Sequence, residues 1–114
     1  MNITTQATDS HTLITVNETR IDASIAPEFK REMDEIIAAS KSPMIVDISQ
    51  ISFMDSSSLG ALVGIYKAVK QQDAFIIAGA SGGVEELFKL TRMDSVFHME
   101  KTVEDAKQSF LSVA

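Results

Sequence analysis

The sequence has no cysteine and no tryptophan, and it has only two prolines and five glycines among 114 residues. Without cysteine there is no disulfide framework, thiolate metal site or cysteine nucleophile, as is typical of a protein in a reducing compartment such as the cytosol. The low proline and glycine content excludes a fibrous repeat or a low-complexity tract. A chain that is 45% hydrophobic and 23% charged is expected to form a single globular domain over residues 1–114.

Positive charge is scarce: 10 Lys and Arg stand against 16 Asp and Glu, which gives a formal net charge of −6. This balance argues against direct nucleic acid binding, because neutralising phosphates needs a basic face. No apolar run reaches the ~20 residues that cross a bilayer. The first ten residues also lack the charged start and apolar stretch of a signal peptide. We therefore expect a cytoplasmic protein without membrane insertion.

Segments rich in β-branched and apolar residues alternate with segments of helical spacing. Strands are predicted at residues 3–7, 11–16, 44–48, 74–79 and 96–99, the first two paired as a hairpin. Helices are predicted from Ile25 to Ser42-Pro43, after Asp55 to about Gln72, after Ser81-Gly82-Gly83, and after Thr102. This order predicts an α/β fold with a mixed, mostly parallel sheet and about four helices packed on it.

One segment concentrates polar side chains between a buried strand and an amphipathic helix. Asp55 is followed there by three hydroxyls, Ser56, Ser57 and Ser58. Asp and Ser are ordinary residues at a helix start, where they cap amides that lack intrahelical partners. The same amides, with the positive end of the helix dipole, could also hold a phosphate. Composition and spacing alone favour a simple helix cap.

The residues around this segment carry a resemblance to a known family. Ile45-Val46-Asp47-Ile48, followed by Phe53-Met54-Asp55-Ser56-Ser57-Ser58-Leu59-Gly60-Ala61-Leu62-Val63, resembles the signature of the STAS domain, specifically that of the small anti-sigma-factor antagonists. The Arg20-Ile21-Asp22 turn resembles the family's Leu-Asp turn before the first helix. The resemblance covers nearly the whole chain and implies one STAS domain over residues 1–114.

The resemblance implies a non-enzymatic switch with Ser56 as the phosphoacceptor. In the family, the unphosphorylated form binds a serine protein kinase that is also an anti-sigma factor. Phosphorylation releases the antagonist, and a PP2C-type phosphatase resets it. The loop that meets the partner would comprise these further residues: Asp22, Met54, Asp55, Ser57, Ser58 and Gly60. No cofactor is implied.

The sequence departs from the family pattern at two positions. Ser58 stands where glycine is usual, and Thr19 stands where the first turn often has glycine. A serine at 58 could change which kinase fits, or could make Ser58 a competing acceptor. Asp55 could orient the acceptor hydroxyl or contact the partner's metal-nucleotide site, or it could be a cap only. Asp22 could shape the partner surface or be an ordinary turn residue.

Other functions remain open at this level. A STAS-like subunit could be a structural adaptor of a larger assembly, such as a lipid transporter ATPase or a stress-sensing complex, although that role does not need the Asp55-Ser56 pair. A serine hydrolase would need a base such as His98 beside Ser56. His11 and His98 have no third ligand near them in sequence, so no metal site is expected.

Overall fold

A computed structural model describes residues 1–111 and contains the predicted alternation of strands and helices. The strands are β1 (Ile3–Ala7), β2 (Thr12–Val16), β3 (Arg20–Ile21), β4 (Met44–Asp47), β5 (Phe53–Met54), β6 (Phe75–Ala78) and β7 (His98–Glu100). The helices are α1 (Ala26–Ala39), α2 (Ser56–Lys67), α3 (Gly82–Leu90) and α4 (Val103–Leu111), with short 3₁₀ turns at Gln72–Ala74 and Met93–Ser95.

The main sheet has five strands in the order β1-β2-β4-β6-β7. β1 and β2 pair antiparallel, as the predicted hairpin requires, and every other neighbouring pair in this sheet is parallel. β4 lies at the centre, where the near-continuous apolar run placed it. The prediction of an α/β fold with a mixed, mostly parallel sheet is confirmed.

Helices cover the two faces of the sheet unequally. Successive side chains of a strand point to opposite faces, so Met44 and Val46 join the large core with α1, α2 and α3. Ile45 points the other way and packs with Ile76 and Ala106 of α4 in a second cluster. The sheet is thus packed on both faces, with the larger cluster on the side of α1, α2 and α3.

The ends of α2 and β7 differ from those predicted. α2 ends at Lys67 instead of about Gln72, because the Ala68 and Val69 amides bond to carbonyls three residues back and end the helical pattern; no glycine or proline there marked the end. β7 begins at His98 instead of residue 96. Val96 closes the preceding 3₁₀ turn, since its amide donates a hydrogen bond to the Met93 carbonyl at 3.0 Å. The two-residue strands β3 and β5 were not predicted, because alternation is not detectable over two residues.

The parallel strands set the position of the polar loops. β2, β4 and β6 run in the same direction, so the segments that follow them emerge at one edge of the sheet. These segments include residues 19–24, residues 48–55 and residues 79–81. The predicted site residues before α1 and α2 therefore meet at this edge, as ligand sites of parallel sheets commonly do.

Within residues 1–111, no helix has both the length and the apolar character that a transmembrane span needs.

The edge beside the site depends on one glycine, which gives the first testable prediction. Gly79 has a φ of +91°, and a Cβ there would lie 2.7 Å from the Ser49 Cβ and 3.0 Å from its backbone. We expect Gly79→Ala to lower the free energy of unfolding by about 1–3 kcal/mol, measured by urea denaturation.

The matched control is Gly83→Ala. A Cβ at Gly83 meets nothing within 4 Å, and the residue lies in the first turn of α3. That variant should be neutral or more stable by up to about 1 kcal/mol. Equal unfolding free energies for Gly79→Ala and the unsubstituted protein would show that the chain does not need this close approach.

Candidate functional site

Two loops at the sheet edge are joined by a separate two-stranded parallel sheet. β3 pairs with β5 so that Arg20 faces Phe53 and Ile21 faces Met54. Ile21 and Met54 are buried in the core, whereas Arg20 and Phe53 lie on the outer side. The ladder continues upstream, where the Thr19 carbonyl accepts a hydrogen bond from the Ser52 amide at 2.8 Å. These bonds fix the turn before α1 against the loop that carries Ser56.

Asp55 connects this loop to the turn before α1. It is the N-cap of α2, and its Oδ1 accepts a hydrogen bond from the Ser58 amide at 3.0 Å. Its Oδ2 accepts another from the Ala23 amide at 3.0 Å, across 32 residues of sequence. The Ser58 amide is the largest cause that lowers the pKa of Asp55, so the carboxylate is ionised at neutral pH. Both oxygens are engaged, and this geometry supports a positioning role.

Ser58 completes a reciprocal capping box with Asp55. Its side chain is fully buried, and its Oγ accepts a hydrogen bond from the Asp55 amide at 2.9 Å and donates one to the Asp55 carbonyl at 2.9 Å. Because Ser58 stands where the family usually has glycine, the sequence left it open as a competing acceptor. Its burial argues against that role, since a kinase cannot reach a hydroxyl enclosed in the folded loop.

Ser56 and Ser57 differ from Ser58 in exposure. Both are exposed in the first turn of α2. The Ser56 hydroxyl makes no hydrogen bond to any residue of the described part of the chain, 1–111. Ser57 lies on a shallow groove between α1 and α2, which is lined also by Ala23, Ala26, Pro27, Lys30, Gly60 and Ala61. The Ser56 and Ser57 hydroxyls are both exposed, and within residues 1–111 neither makes a side-chain hydrogen bond; Ser57 also lines the groove, whereas Ser56 lies at the first position of α2.

The other predicted loop residues divide into inward and outward groups. Met54 is only 7% exposed, so its side chain anchors the loop in the core and offers little surface to a partner. Gly60 is exposed on α2, and a Cβ there would meet nothing within 4 Å. The fold itself therefore does not require glycine at position 60, and any such requirement would come from a molecule that approaches α2.

Asp22 organises the turn before α1. Its Oδ1 accepts hydrogen bonds from the Ser24 hydroxyl at 2.5 Å and the Ser24 amide at 3.0 Å. Its Oδ2 accepts one from Arg20 Nε at 2.9 Å. The Ser24 hydroxyl, followed by the Arg20 side chain, lowers the pKa of Asp22 from 3.8 to about 2. Asp22, next to Ala23, and Asp55, next to Ser56, thus place two ionised carboxylates in the two joined loops.

Sequence analysis did not identify the contact between Arg20 and Phe53. The Arg20 guanidinium carbon lies 4.5 Å from the centroid of the Phe53 ring. Arg20 belongs to the turn before α1 and Phe53 to the motif before α2, and in the sequence these are separate features. Only the register of β3 against β5 brings them together, and a register cannot be deduced from two strands of two residues each.

The histidines lie elsewhere. His98 Nε2 is 2.6 Å from Glu100 Oε2 and 3.4 Å from Ser109 Oγ, and within residues 1–111 no hydrogen bond joins a histidine to Ser56. Because both contacts of His98 use the same nitrogen, they do not form the relay of a serine hydrolase. Among the same residues, no group of three or more His, Cys, Asp or Glu side chains is placed to hold a metal ion.

Comparison with known proteins agrees with this architecture. A family model described as STAS domain matches residues 2–106. An anti-sigma-B factor antagonist from Staphylococcus aureus is 28% identical over 105 residues, which are 91% of this chain and 96% of the relative. The crystal structure of an anti-sigma factor antagonist from Mycobacterium paratuberculosis superposes with a TM-score of 0.83 at 22% identity, and the match covers 96% of this chain and 92% of that chain.

A further solved relative is known in two states. The anti-sigma factor antagonist SpoIIAA in its unphosphorylated form has a TM-score of 0.72 at 17% identity and covers 99% of both chains. The phosphorylated form, from Bacillus, has a TM-score of 0.63 at 15% identity over 95% of this chain and 99% of that chain. At these identities the likeness shows a shared fold.

The capping box gives a prediction about the stability of the site. Ser58→Ala leaves the buried Asp55 amide without its side-chain acceptor, so we expect the free energy of unfolding to fall by about 1–2 kcal/mol. Ser57→Ala, one residue away and exposed, should change it by less than about 0.5 kcal/mol. Chemical denaturation of both variants is the measurement, and equal effects would contradict the assigned role of the Ser58 hydroxyl.

Asp22 gives a prediction about acid stability. Its folded-state pKa of about 2 lies below the ordinary 3.8, so its stabilising contribution is complete above about pH 4 and is lost as the pH falls towards 2. In the Asp22→Asn variant the free energy of unfolding should decrease less between about pH 4 and about pH 2 than in the unsubstituted protein, as measured by chemical denaturation at a series of pH values. Asp9→Asn, which removes one negative charge from an exposed turn, is the control. Its unfolding free energy should depend on pH as that of the unsubstituted protein does.

Proposed function

The chain belongs to the STAS domain family, and from this premise we propose that it is an anti-sigma-factor antagonist switched by phosphorylation of Ser56. The single observation that carries the proposal is the contrast within the serine triplet. Ser56 presents an exposed hydroxyl without a local hydrogen bond, whereas the Ser58 hydroxyl is enclosed by the capping box. The fold thus leaves Ser56 open to a kinase, and Ser57, the other exposed serine, lies instead on the groove between α1 and α2.

The proposed cycle has two states of the same folded domain. Unphosphorylated, the loop binds a serine protein kinase that acts as an anti-sigma factor, and the sigma factor is left free. The kinase then transfers the γ-phosphoryl group of a nucleoside triphosphate to Ser56 Oγ, a base of the kinase takes the hydroxyl proton, and the diphosphate leaves. A PP2C-type phosphatase restores the hydroxyl by hydrolysis. The likeness to SpoIIAA, solved in unphosphorylated and phosphorylated forms, supports such a cycle.

The geometry supports release of the partner without refolding of the domain. The bonds that fix the loop run between Asp55, Ala23 and Ser58, and none uses the Ser56 hydroxyl. Phosphorylation adds a charge of about −1.5 to −2 next to two carboxylates that are already ionised, Asp22 and Asp55. A partner surface that fits the neutral hydroxyl would therefore meet a bulky and strongly negative group.

The proposal predicts distinct behaviour for variants of neighbouring serines. With a purified anti-sigma-factor kinase from the same organism and ATP, mass spectrometry should find phosphate on Ser56 of the unsubstituted protein. Ser56→Ala should accept none, and Ser57→Ala, the matched control, should be phosphorylated like the unsubstituted protein. In a binding assay with the same kinase, Ser56→Ala should keep its affinity, and Ser56→Asp should bind about tenfold or more weakly.

Other outcomes would replace the proposal. Phosphate on Ser57 alone would move the switch to the groove between α1 and α2. Binding that is equal for all variants, with no phosphate on the loop, would leave Asp55 and Ser56 as a helix start only. The chain would then fit the adaptor function, which copurification with a transporter ATPase or a scaffold would identify.

A further inference from the structure

The outer face of the β3–β5 pair exposes an aromatic ring beside the acceptor loop. Phe53 is 41% exposed, because the alternation that buries Met54 turns its neighbour outward. The other large apolar side chains described as exposed are Leu90, Val96 and Leu111, which lie in or after α3 and in α4. Phe53 is three residues from Ser56 in the same loop, so the ring belongs to the surface that the proposed partner would meet.

Arg20 is held over the ring in a defined orientation. Its guanidinium stacks 4.5 Å from the ring centroid, and its Nε donates to Asp22 Oδ2 at 2.9 Å. The side chain is nevertheless 62% exposed. Among residues 1–111, nothing is hydrogen-bonded to its two terminal Nη groups. The guanidinium is therefore fixed on one side and has two parallel donors free on the other, which lowers the entropic cost of binding there.

The positive charge of Arg20 indicates which kind of partner side chain would bind here. Arg20 is the only cationic residue in the two paired loops, residues 19–24 and 48–58, and the chain as a whole has a net charge of −6. Paired parallel N–H donors of arginine match the two oxygens of a carboxylate. The methylene groups of an Asp or Glu side chain can at the same time pack on the exposed edge of an aromatic ring.

We propose that Arg20 and Phe53 form the element that selects the partner kinase, by receiving an aspartate or glutamate side chain of that kinase. The inference rests on the proposed function and adds the chemistry of the contact. The two donors of Arg20 bind the partner's carboxylate, and Phe53 covers the bond from solvent. A phosphate on Ser56 places negative charge in the same loop, where it repels that carboxylate and competes with it for the guanidinium. The guanidinium of Arg20 is then involved both in binding the kinase and in its release after phosphorylation.

The test measures the affinity of the unphosphorylated protein for the purified anti-sigma-factor kinase by titration calorimetry. Arg20→Ala should raise Kd about tenfold or more. Arg20→Lys should recover only part of the loss, because an ammonium group neither stacks flat on Phe53 nor binds both oxygens. Arg31→Ala is the matched control: Arg31 is 61% exposed on α1 and pairs with Glu35, and its loss should leave Kd within about twofold.

Two further measurements separate recognition from loss of structure. Arg20 also holds Asp22, so each variant is checked by chemical denaturation, and Phe53→Leu tests the ring while leaving Arg20 in place. For the unsubstituted protein Kd should rise with salt concentration, and this dependence should be weaker for Arg20→Ala. A Phe53→Leu variant with the stability of the unsubstituted protein and a Kd raised about threefold or more supports the inference.

The outcomes distinguish the inference from the proposed function. If Ser56→Asp abolishes binding while Arg20→Ala and Arg31→Ala have the same affinity, the switch stands and the role of Arg20 is wrong. If the unsubstituted protein does not bind the kinase at all, the proposed function itself fails. Exchanging the two charges tests the contact directly. Arg20→Glu should lower the affinity for the kinase, and replacing the facing carboxylate residue of the kinase by arginine should restore it.

Discussion

The carboxylate of Asp55 is the contact on which the arrangement of the site depends. One oxygen caps α2 at the Ser58 amide and the other holds the Ala23 amide of the preceding turn. A single side chain therefore fixes both the direction of the helix that carries Ser56 and the distance between the two loops. The short β3–β5 ladder then aligns Arg20 with Phe53. Without this carboxylate, the short β3–β5 ladder and the bond between Thr19 and Ser52 would be left to join the two loops.

The three consecutive serines illustrate how position on a helix determines the role of identical side chains. The third lies over the N-cap, where burial and two hydrogen bonds to Asp55 make it structural. The second lines the groove beside α1. The first projects from the helix start into solvent. A serine in place of glycine at position 58 thus adds a hydroxyl to the helix cap and leaves the Ser56 hydroxyl exposed.

The sequence predicted the main features because each has a strong local signal. The central strand shows as a continuous apolar run, and α1 shows as helical spacing with Pro27 in its first turn. The cap at Asp55 follows from its residue type. The tie from Asp55 to Ala23 and the stacking of Arg20 on Phe53 could not be predicted, because each joins residues more than 30 positions apart through a two-residue ladder. Burial of Ser58 likewise depends on what packs over the helix start.

The alternation of side chains in β3 and β5 has an evolutionary consequence. Ile21 and Met54 form one rung of the ladder and are buried, while Arg20 and Phe53 form the neighbouring rung and lie on the outer side. Substitution at the outer pair leaves the inner pair in place, so the identity of the outer residues can diverge between gene duplicates at little cost to folding. Under the proposed function, a cell that keeps several such switches could separate their partners by exchanging the single rung formed by Arg20 and Phe53.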